Sequence, residues 1–186
     1  MKLEVFERLS EQATKFGPGR PRALQEFLAH PLVMQLGWPD DVVEQWLFDH
    51  ASHPAFHIDY GHIDLETLDW TLERLETPLL LDVPTGDSEV GAIEGWAKVH
   101  EHAVRTRETS GSPLYRGIQE KWDEEGTWLR PPLLVEQSLT GNGGGGLQLV
   151  EGRTRVGVLR GRHADGLRVA DTHLTWMGRF RMSAFV

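Results

Sequence analysis

Apolar residues in the first 76 positions recur at intervals of three and four, the spacing that places side chains on one face of a helix. A helix is expected to begin after Trp38, because Pro39 and the two aspartates that follow it are typical of a first helical turn. Asp64 is expected to cap a helix that continues to Glu76 with its leucines facing inward. The predicted helices are 2–15, 22–29, the one opened by Trp38-Pro39-Asp40-Asp41, and 64–76.

The pattern changes after Thr77, where short apolar runs alternate with helix-compatible segments. The predicted strands are residues 79–83, 132–135, 147–150 and 167–176, and the predicted helices between them are 92–107 and 114–125, the second ended by Gly126. Helices threaded between short strands indicate an α+β fold with a small mixed sheet. Two regions are expected: an acidic helical region over residues 1–76 and an α+β domain over residues 77–186.

The segment around Gly152 is the main candidate for a binding site. An apolar strand leads through this glycine into a helix, and the unpaired N–H groups and dipole of a helix start favour an anion. Arg153 and Arg155 in the first turn oppose that dipole, so a negative group is expected beside them, and a phosphate is the obvious candidate. The alternative is that Gly152 only forms a turn and that Arg155 pairs with a neighbouring carboxylate.

Composition is that of an ordinary globular protein and fits one domain, alone or with a helical extension. The 186 residues include no cysteine, which excludes disulfides, a thiol nucleophile and a thiolate metal site. No apolar run approaches the roughly 20 residues of a membrane span, and the first residues are too charged for the apolar core of a signal peptide. A cytoplasmic protein without a membrane partner is expected.

The net charge of −9 disfavours binding to nucleic acid, which requires a basic surface. The charge is concentrated in residues 1–76, where 14 acidic side chains face 6 basic ones. This acidic region either contacts a basic protein partner or is solvated helix surface, and the second interpretation is the more common one for such patterns.

Histidines and aspartates lie close together between His50 and His62, and side chains of these two kinds bind zinc. Pro54 interrupts the run, however, and no established ligand spacing is present. Helix capping and surface exposure are therefore the favoured roles of these histidines.

A glycine run over residues 141–146 resembles a phosphate-binding loop in its composition. It lacks the Gly-Lys-Ser/Thr ending that supplies a positive charge and a magnesium ligand. A flexible loop between two strands is the favoured interpretation.

Residues 77–186 resemble the ParB/sulfiredoxin-like superfamily. The matching parts are Ile118-Gln-Glu-Lys-Trp-Asp-Glu-Glu-Gly126, then Pro132-Leu-Leu-Val135, and then Gly152-Arg-Thr-Arg155-Val-Gly-Val158. The last part is similar to the Gly-Glu-Arg-Arg-x-x-Ala box of ParB proteins and to the Gly-Cys-His-Arg-x-x-Ala box of sulfiredoxins. Arg153 stands at the position of the sulfiredoxin cysteine, so that chemistry is not available to this chain. No helix-turn-helix is recognised, and residues 84–112 look like an insertion relative to the compact family core.

The resemblance implies a site for the phosphates of ATP or CTP, with Mg²⁺, at Gly152, Arg153, Thr154 and Arg155. Glu151, immediately before this turn, is the implied base or magnesium-holding group. A nucleotide-binding protein with NTPase or phosphotransfer activity is therefore expected. The alternative is a catalytically idle module that binds a basic protein through its acidic region, as immunity proteins and antitoxins do. DNA binding is the least favoured function, because the charge opposes it.

Overall fold

The computed structural model describes residues 1–141 and 145–181 and shows a mixed α+β protein, which confirms the predicted fold class. Its strands are β1 (Leu68–Glu76), β2 (Leu133–Glu136), β3 (Leu147–Glu151) and β4 (Thr172–Phe180). They form one mixed sheet in the order β1-β4-β2-β3.

Ten α-helices lie in the described residues. They are α1 (Glu4–Gln12), α2 (Arg20–Leu28), α3 (Pro31–Leu36), α4 (Asp40–Val43), α5 (Pro54–Tyr60), α6 (Thr77–Leu81), α7 (Ala92–Ala97), α8 (His100–Glu108), α9 (Ile118–Glu120) and α10 (Arg153–Ala164). One turn of π-helix continues α4 over Glu44–Phe48 and another continues α9 over Lys121–Glu125. Single 3₁₀ turns occupy Leu65–Thr67, Asp87–Glu89, Pro113–Tyr115 and Gln137–Leu139. No helix of the described ranges is long and apolar enough to cross a bilayer.

The helix predicted from Asp64 to Glu76 is wrong, because this segment forms β1. Asp64 does act as a cap and accepts the backbone N–H of Glu66, but only for the 3₁₀ turn before the strand. Leu68 and Trp70 are buried and Asp69 between them is exposed, so burial alternates at the start of the strand instead of following a helical face.

The strand predicted over residues 79–83 is also wrong, because α6 begins at Thr77 and ends at Leu81. Pro78 lies in the first helical turn, where its missing N–H removes no hydrogen bond. Leu80 is fully buried and Leu79 is 56% exposed, so the apolar run does not form a strand buried on both faces.

The other elements agree more closely with the sequence. The strands β2 and β3 and the helix after Gly152 are confirmed, and Gly126 adopts a left-handed conformation where α9 and its π-turn end. The strand predicted over residues 167–176 is shifted and begins at Thr172. The single helix predicted over residues 92–107 is divided into α7 and α8.

The described chain divides into two compact units. Unit 1 takes its residues from Met1–Thr71, Val135–Gly146 and Met177–Val186, and unit 2 from Leu72–Leu134 and Leu147–Trp176. The strands β1, β2 and β4 have residues in both units. The domain boundary expected at residue 76 stays a prediction.

Three tryptophans form the centre of the unit 1 core. The ring centroids of Trp38, Trp46 and Trp70 lie 5.5 Å apart in each pairing, and all three side chains are buried. Gly178 on β4 leaves room for this cluster, since a Cβ at that residue would lie 2.9 Å from the Trp70 ring. Aromatic packing at this distance stabilises a core beyond the area it buries.

In unit 2, α10 packs directly against the backbone of α7. A Cβ at Gly157 would lie 2.4 Å from the Cβ of Trp96, and a Cβ at Gly161 would lie 2.4 Å from the carbonyl oxygen of Ala97. The two glycines are four residues apart on α10 and therefore share the face that contacts α7. No other residue type permits this approach.

The substitution Gly161→Ala is expected to lower the free energy of unfolding by about 1–3 kcal/mol, because the added methyl group overlaps backbone atoms that cannot move separately. Gly95→Ala on α7 is the matched control. No heavy atom lies within 4 Å of its added Cβ, so alanine should leave the stability unchanged or raise it by up to about 1 kcal/mol. Urea unfolding of the two variants measures both effects, and equal changes would contradict the close packing.

Candidate anion-binding site at the start of α10

Gly152 connects β3 to α10 in a conformation that other residues rarely adopt, with φ at +114°. A Cβ at this residue would also lie 2.5 Å from the Cβ of Pro132. Glycine is therefore required here by the backbone and by a packed proline. The strand, glycine and helix occur in the predicted order, whereas the approach of a phosphate to Gly152 stays a prediction.

Arg155 is held by acceptors of the protein itself. Its guanidinium donates to the carboxylate of Glu151 and to the carbonyl oxygens of Arg130 and Pro131, both at 3.2 Å. The side chain is 18% exposed. The sequence left open the alternative that Arg155 pairs with a neighbouring carboxylate, and this is the arrangement found. The same side chain joins the start of α10 to the segment before β2.

Arg153 also has an acidic partner, which the sequence did not indicate. Its guanidinium forms an ion pair with Glu89, whose side chain is only 8% exposed. The second carboxylate oxygen of Glu89 is buried and has no hydrogen-bond partner in the described part of the chain.

The segment that carries Glu89 is attached to the edge of β3. The N–H of Leu149 donates to the carbonyl oxygen of Pro84 at 2.8 Å, and Thr85 forms a parallel bridge with Leu149. The hydroxyl of Thr85 then donates to the carbonyl oxygen of Glu89 at 3.1 Å. These contacts bring the turn Asp87–Glu89 to the end of β3 at which α10 begins.

Thr154 brings a third arginine to the first turn of α10. Arg107, near the end of α8, donates to the hydroxyl oxygen of Thr154 at 2.8 Å. The guanidinium of Arg107 lies over the ring of Trp96 at 5.2 Å and over that of Tyr115 at 5.5 Å. Contacts of this kind with aromatic faces hold an arginine in a fixed direction.

Arg107 differs from the other two arginines in its electrostatic environment. None of the described residues forms an ion pair with Arg107, while Arg153 pairs with Glu89 and Arg155 pairs with Glu151. With these pairs neutralised, the cluster keeps one positive charge beside the positive end of the helix dipole. An anion is the ligand that this excess charge favours.

The histidines between His50 and His62 have packing and capping contacts. The ring of His53 accepts the N–H of Ala55 at the start of α5, and His57 contacts the carbonyl oxygen of Ala51 at 2.6 Å. His50 stacks on Phe56 with ring centroids 4.6 Å apart. No group of three or more metal-binding side chains occurs within residues 1–141 and 145–181.

The glycine run over residues 141–146 lies partly outside the described residues, since 142–144 are not described. At the described end of the run, Gly146 accepts the backbone N–H of Gln137 at 2.9 Å. The flexible loop expected for this run therefore stays a prediction.

A cleft of about 270 Å³ lies near the other end of α10. Arg162 lines it and is 7% exposed, but its guanidinium already contacts Asp123 at 3.1 Å and the carbonyl oxygen of Trp122 at 3.2 Å. The other charged lining residues include Glu101 and Arg105, which lie 3.8 Å apart. Opposite charges within the lining balance one another, so this cleft selects neither anions nor cations.

His173 on β4 is a buried titratable group of unit 2. The hydroxyl of Thr77 donates to the carbonyl oxygen of Ala170, so the Nε2–H of His173 donates to Thr77 at 3.0 Å and its Nδ1 accepts the hydroxyl of Thr127 at 2.7 Å. Burial lowers the pKa of His173 to about 4, because a charged ring would lose its hydration. The ring is therefore neutral near pH 7 and serves as a structural link.

Comparisons of the chain with protein-family models, with curated proteins and with solved structures found no match. The resemblance to the ParB/sulfiredoxin-like superfamily therefore stays a prediction, and the chemistry of the site is argued from its own residues.

The substitution Arg155→Ala is expected to lower the free energy of unfolding by about 1–3 kcal/mol, because two carbonyl oxygens lose their donor and Glu151 loses its counter-charge. Arg22→Ala is the control, since this arginine is 86% exposed in its pair with Glu26 and such surface pairs add little to stability. Chemical denaturation of both variants gives the comparison. Equal stability of Arg155→Ala and the wild type would show that Arg155 is not a structural link.

Acid is expected to destabilise the fold through His173. The pKa of this ring is lower in the folded state than the ordinary value of 6.5, so the unfolded chain binds a proton first, and stability falls as the pH drops from 6.5 towards 4. The contribution amounts to roughly 2–3 kcal/mol between pH 7 and pH 4.5. Urea unfolding of His173→Gln at both pH values should show a pH dependence smaller by that amount. An unchanged pH dependence would contradict the neutral buried ring.

Proposed function

We propose that the protein binds a phosphorylated ligand, a nucleoside triphosphate such as ATP or CTP with Mg²⁺, at the start of α10. The proposed site consists of Gly152, Arg153, Thr154 and Arg155, with Arg107 added from α8. The observation that carries the proposal is the guanidinium of Arg107, which has no acidic partner in the described residues and is held against Thr154 in the first turn of α10.

The physical chemistry of a helix start supports this ligand class. The helix α10 has 12 residues, and the N–H groups of its first turn have no partner within the helix. Its dipole places positive potential at Arg153, and the guanidinium of Arg107 adds a full charge with several directed donors. A phosphate satisfies both features, because its oxygens accept several hydrogen bonds at once.

The residues of the proposed site differ in what they contribute. Arg107, Arg153 and Thr154 are the binding groups, whereas Arg155 holds the backbone in place and its substitution would change stability as well as binding. Glu151 remains the proposed base or magnesium-holding group. Its carboxylate accepts from Arg155, which holds it beside the first turn of α10.

The aromatic rings beside Arg107 do not select a nucleobase. The guanidinium lies over the ring of Trp96 and over that of Tyr115, so it already covers one face of each ring. The phosphates are therefore the part of the ligand that the proposed site recognises, and inorganic pyrophosphate is a suitable minimal probe. NTPase or phosphotransfer activity is a further step of the proposal and depends on Glu151.

The alternative function, a module that binds a basic protein through the acidic region of residues 1–76, makes a different prediction. It requires a partner in stoichiometric amount and no nucleotide binding. Binding of ATP, CTP or pyrophosphate would favour the first function, and a co-purified basic protein without nucleotide binding would favour the second.

Replacement of Arg107 is expected to weaken binding of MgATP, MgCTP and pyrophosphate at least about tenfold, because the loss of one charge-assisted hydrogen bond amounts to roughly 1.5–3 kcal/mol. Isothermal titration of the wild type and Arg107→Ala measures this loss. Arg107→Lys should give an intermediate affinity, since it keeps the charge and loses the planar group.

Arg105→Ala is the matched control for this titration. Arg105 lies two residues earlier on α8, is 70% exposed and pairs with Glu101, so its removal changes the net charge equally without affecting the first turn of α10. Unaltered affinity in Arg105→Ala and a large loss in Arg107→Ala would support the site. Absence of binding in the wild type, or equal affinity in Arg107→Ala, would overturn the proposed function.

A further inference from the structure

Glu89 brings a second negative group to the first turn of α10. Its side chain is 8% exposed, one carboxylate oxygen pairs with Arg153, and the other oxygen is buried without a hydrogen-bond partner in the described residues. A buried, unsatisfied carboxylate oxygen is destabilising and uncommon in folded proteins. The contact with Arg153 holds it there despite this penalty.

A carboxylate and a phosphate make similar demands on their surroundings. Both are anions whose oxygens accept two-pronged hydrogen bonds from an arginine, and both are favoured at the positive end of a helix dipole. The position of Glu89 beside Arg153 is therefore one in which a ligand phosphate is equally favoured. A phosphate in this position also lies near the turn that Thr154 and Arg107 share.

We infer that the Glu89 carboxylate occupies the place of a ligand phosphate, and that ligand binding displaces it from Arg153. This inference rests on the proposed function, because it assigns the same site a competitor from within the chain. In the absence of ligand the competitor balances the charge of Arg153. In the bound state the phosphate takes over this ion pair, and Glu89 moves into solvent.

The chain around Glu89 is built in a way that permits this movement. On one side the segment is fixed to β3 through Pro84 and Thr85, and on the other side Gly91 adopts a left-handed conformation with φ at +83°. Between these points the chain forms the single 3₁₀ turn Asp87–Glu89, followed by Val90, which is 80% exposed. Displacement of Glu89 therefore requires rearrangement of one short surface turn and of no helix or strand.

The competition lowers the apparent affinity. The apparent association constant is the intrinsic one multiplied by the fraction of molecules in which Arg153 is released from Glu89. If that fraction is one tenth, the removal of the competitor strengthens binding about tenfold. Glu89→Gln removes the charge with little change in shape. Glu94→Gln is the matched control, because Glu94 is 59% exposed and pairs with Arg160 at 2.8 Å, away from the first turn of α10.

Titration of inorganic pyrophosphate into the full chain by calorimetry tests the inference. The expected result is an affinity roughly tenfold higher in Glu89→Gln than in the wild type, and an unchanged affinity in Glu94→Gln. Glu89→Ala should behave like Glu89→Gln, and circular dichroism establishes that each variant is folded.

The contrary outcomes separate this inference from the proposed function. If the wild type binds pyrophosphate and Glu89→Gln binds it equally well or more weakly, the competition is wrong and the proposed function stands. If neither the wild type nor any Glu89 variant binds pyrophosphate, MgATP or MgCTP, both are wrong.

Discussion

The close contact between α7 and α10 is the constraint on which the candidate site depends. Gly157 lies against the Cβ of Trp96, and that approach fixes the tryptophan on the surface of α7. The ring of Trp96 in turn lies under the guanidinium of Arg107, which donates to Thr154 one turn before Gly157. The absence of a side chain at Gly157 therefore determines where the charge of Arg107, from α8, meets the first turn of α10.

Each of the two arginines in the first turn of α10 pairs with a carboxylate of the protein. One carboxylate is adjacent in the sequence and the other is distant. Glu151 precedes the turn directly, while Glu89 arrives through a segment that is bonded to β3. Charges that oppose a helix dipole are thus tolerated because each has a counter-charge within the protein. A bound phosphate is accordingly not required for the stability of this turn, and its role is a matter of function.

Local patterns in the sequence predicted the parts of the fold that depend on neighbouring residues. The strand, glycine and helix around Gly152 follow from short-range rules of periodicity and turn chemistry. The helix predicted for the segment from Leu68 to Glu76 was wrong. Its leucines have helical spacing, but Trp70 packs into a tryptophan cluster whose other members lie far away in the sequence. Tertiary packing overrides local preference in such cases. The apolar run over residues 79–83 was too short for periodicity to distinguish a helix from a strand.

The candidate site shows the same division between local and distant information. Residues 151–155 are visible in the sequence as a unit, but Arg107 and Glu89 are separated from them by more than 40 residues in the chain, and no motif links them. A position near the end of α8 is electrostatically favourable for a cation in any case, which makes Arg107 look like an ordinary helix-end residue in the sequence. The distinguishing feature is the direction of its guanidinium, which is set by two aromatic rings and a threonine on other elements. The direction of the Arg107 guanidinium arises only from packing. The excess positive charge at the start of α10 can therefore be recognised only in the folded molecule.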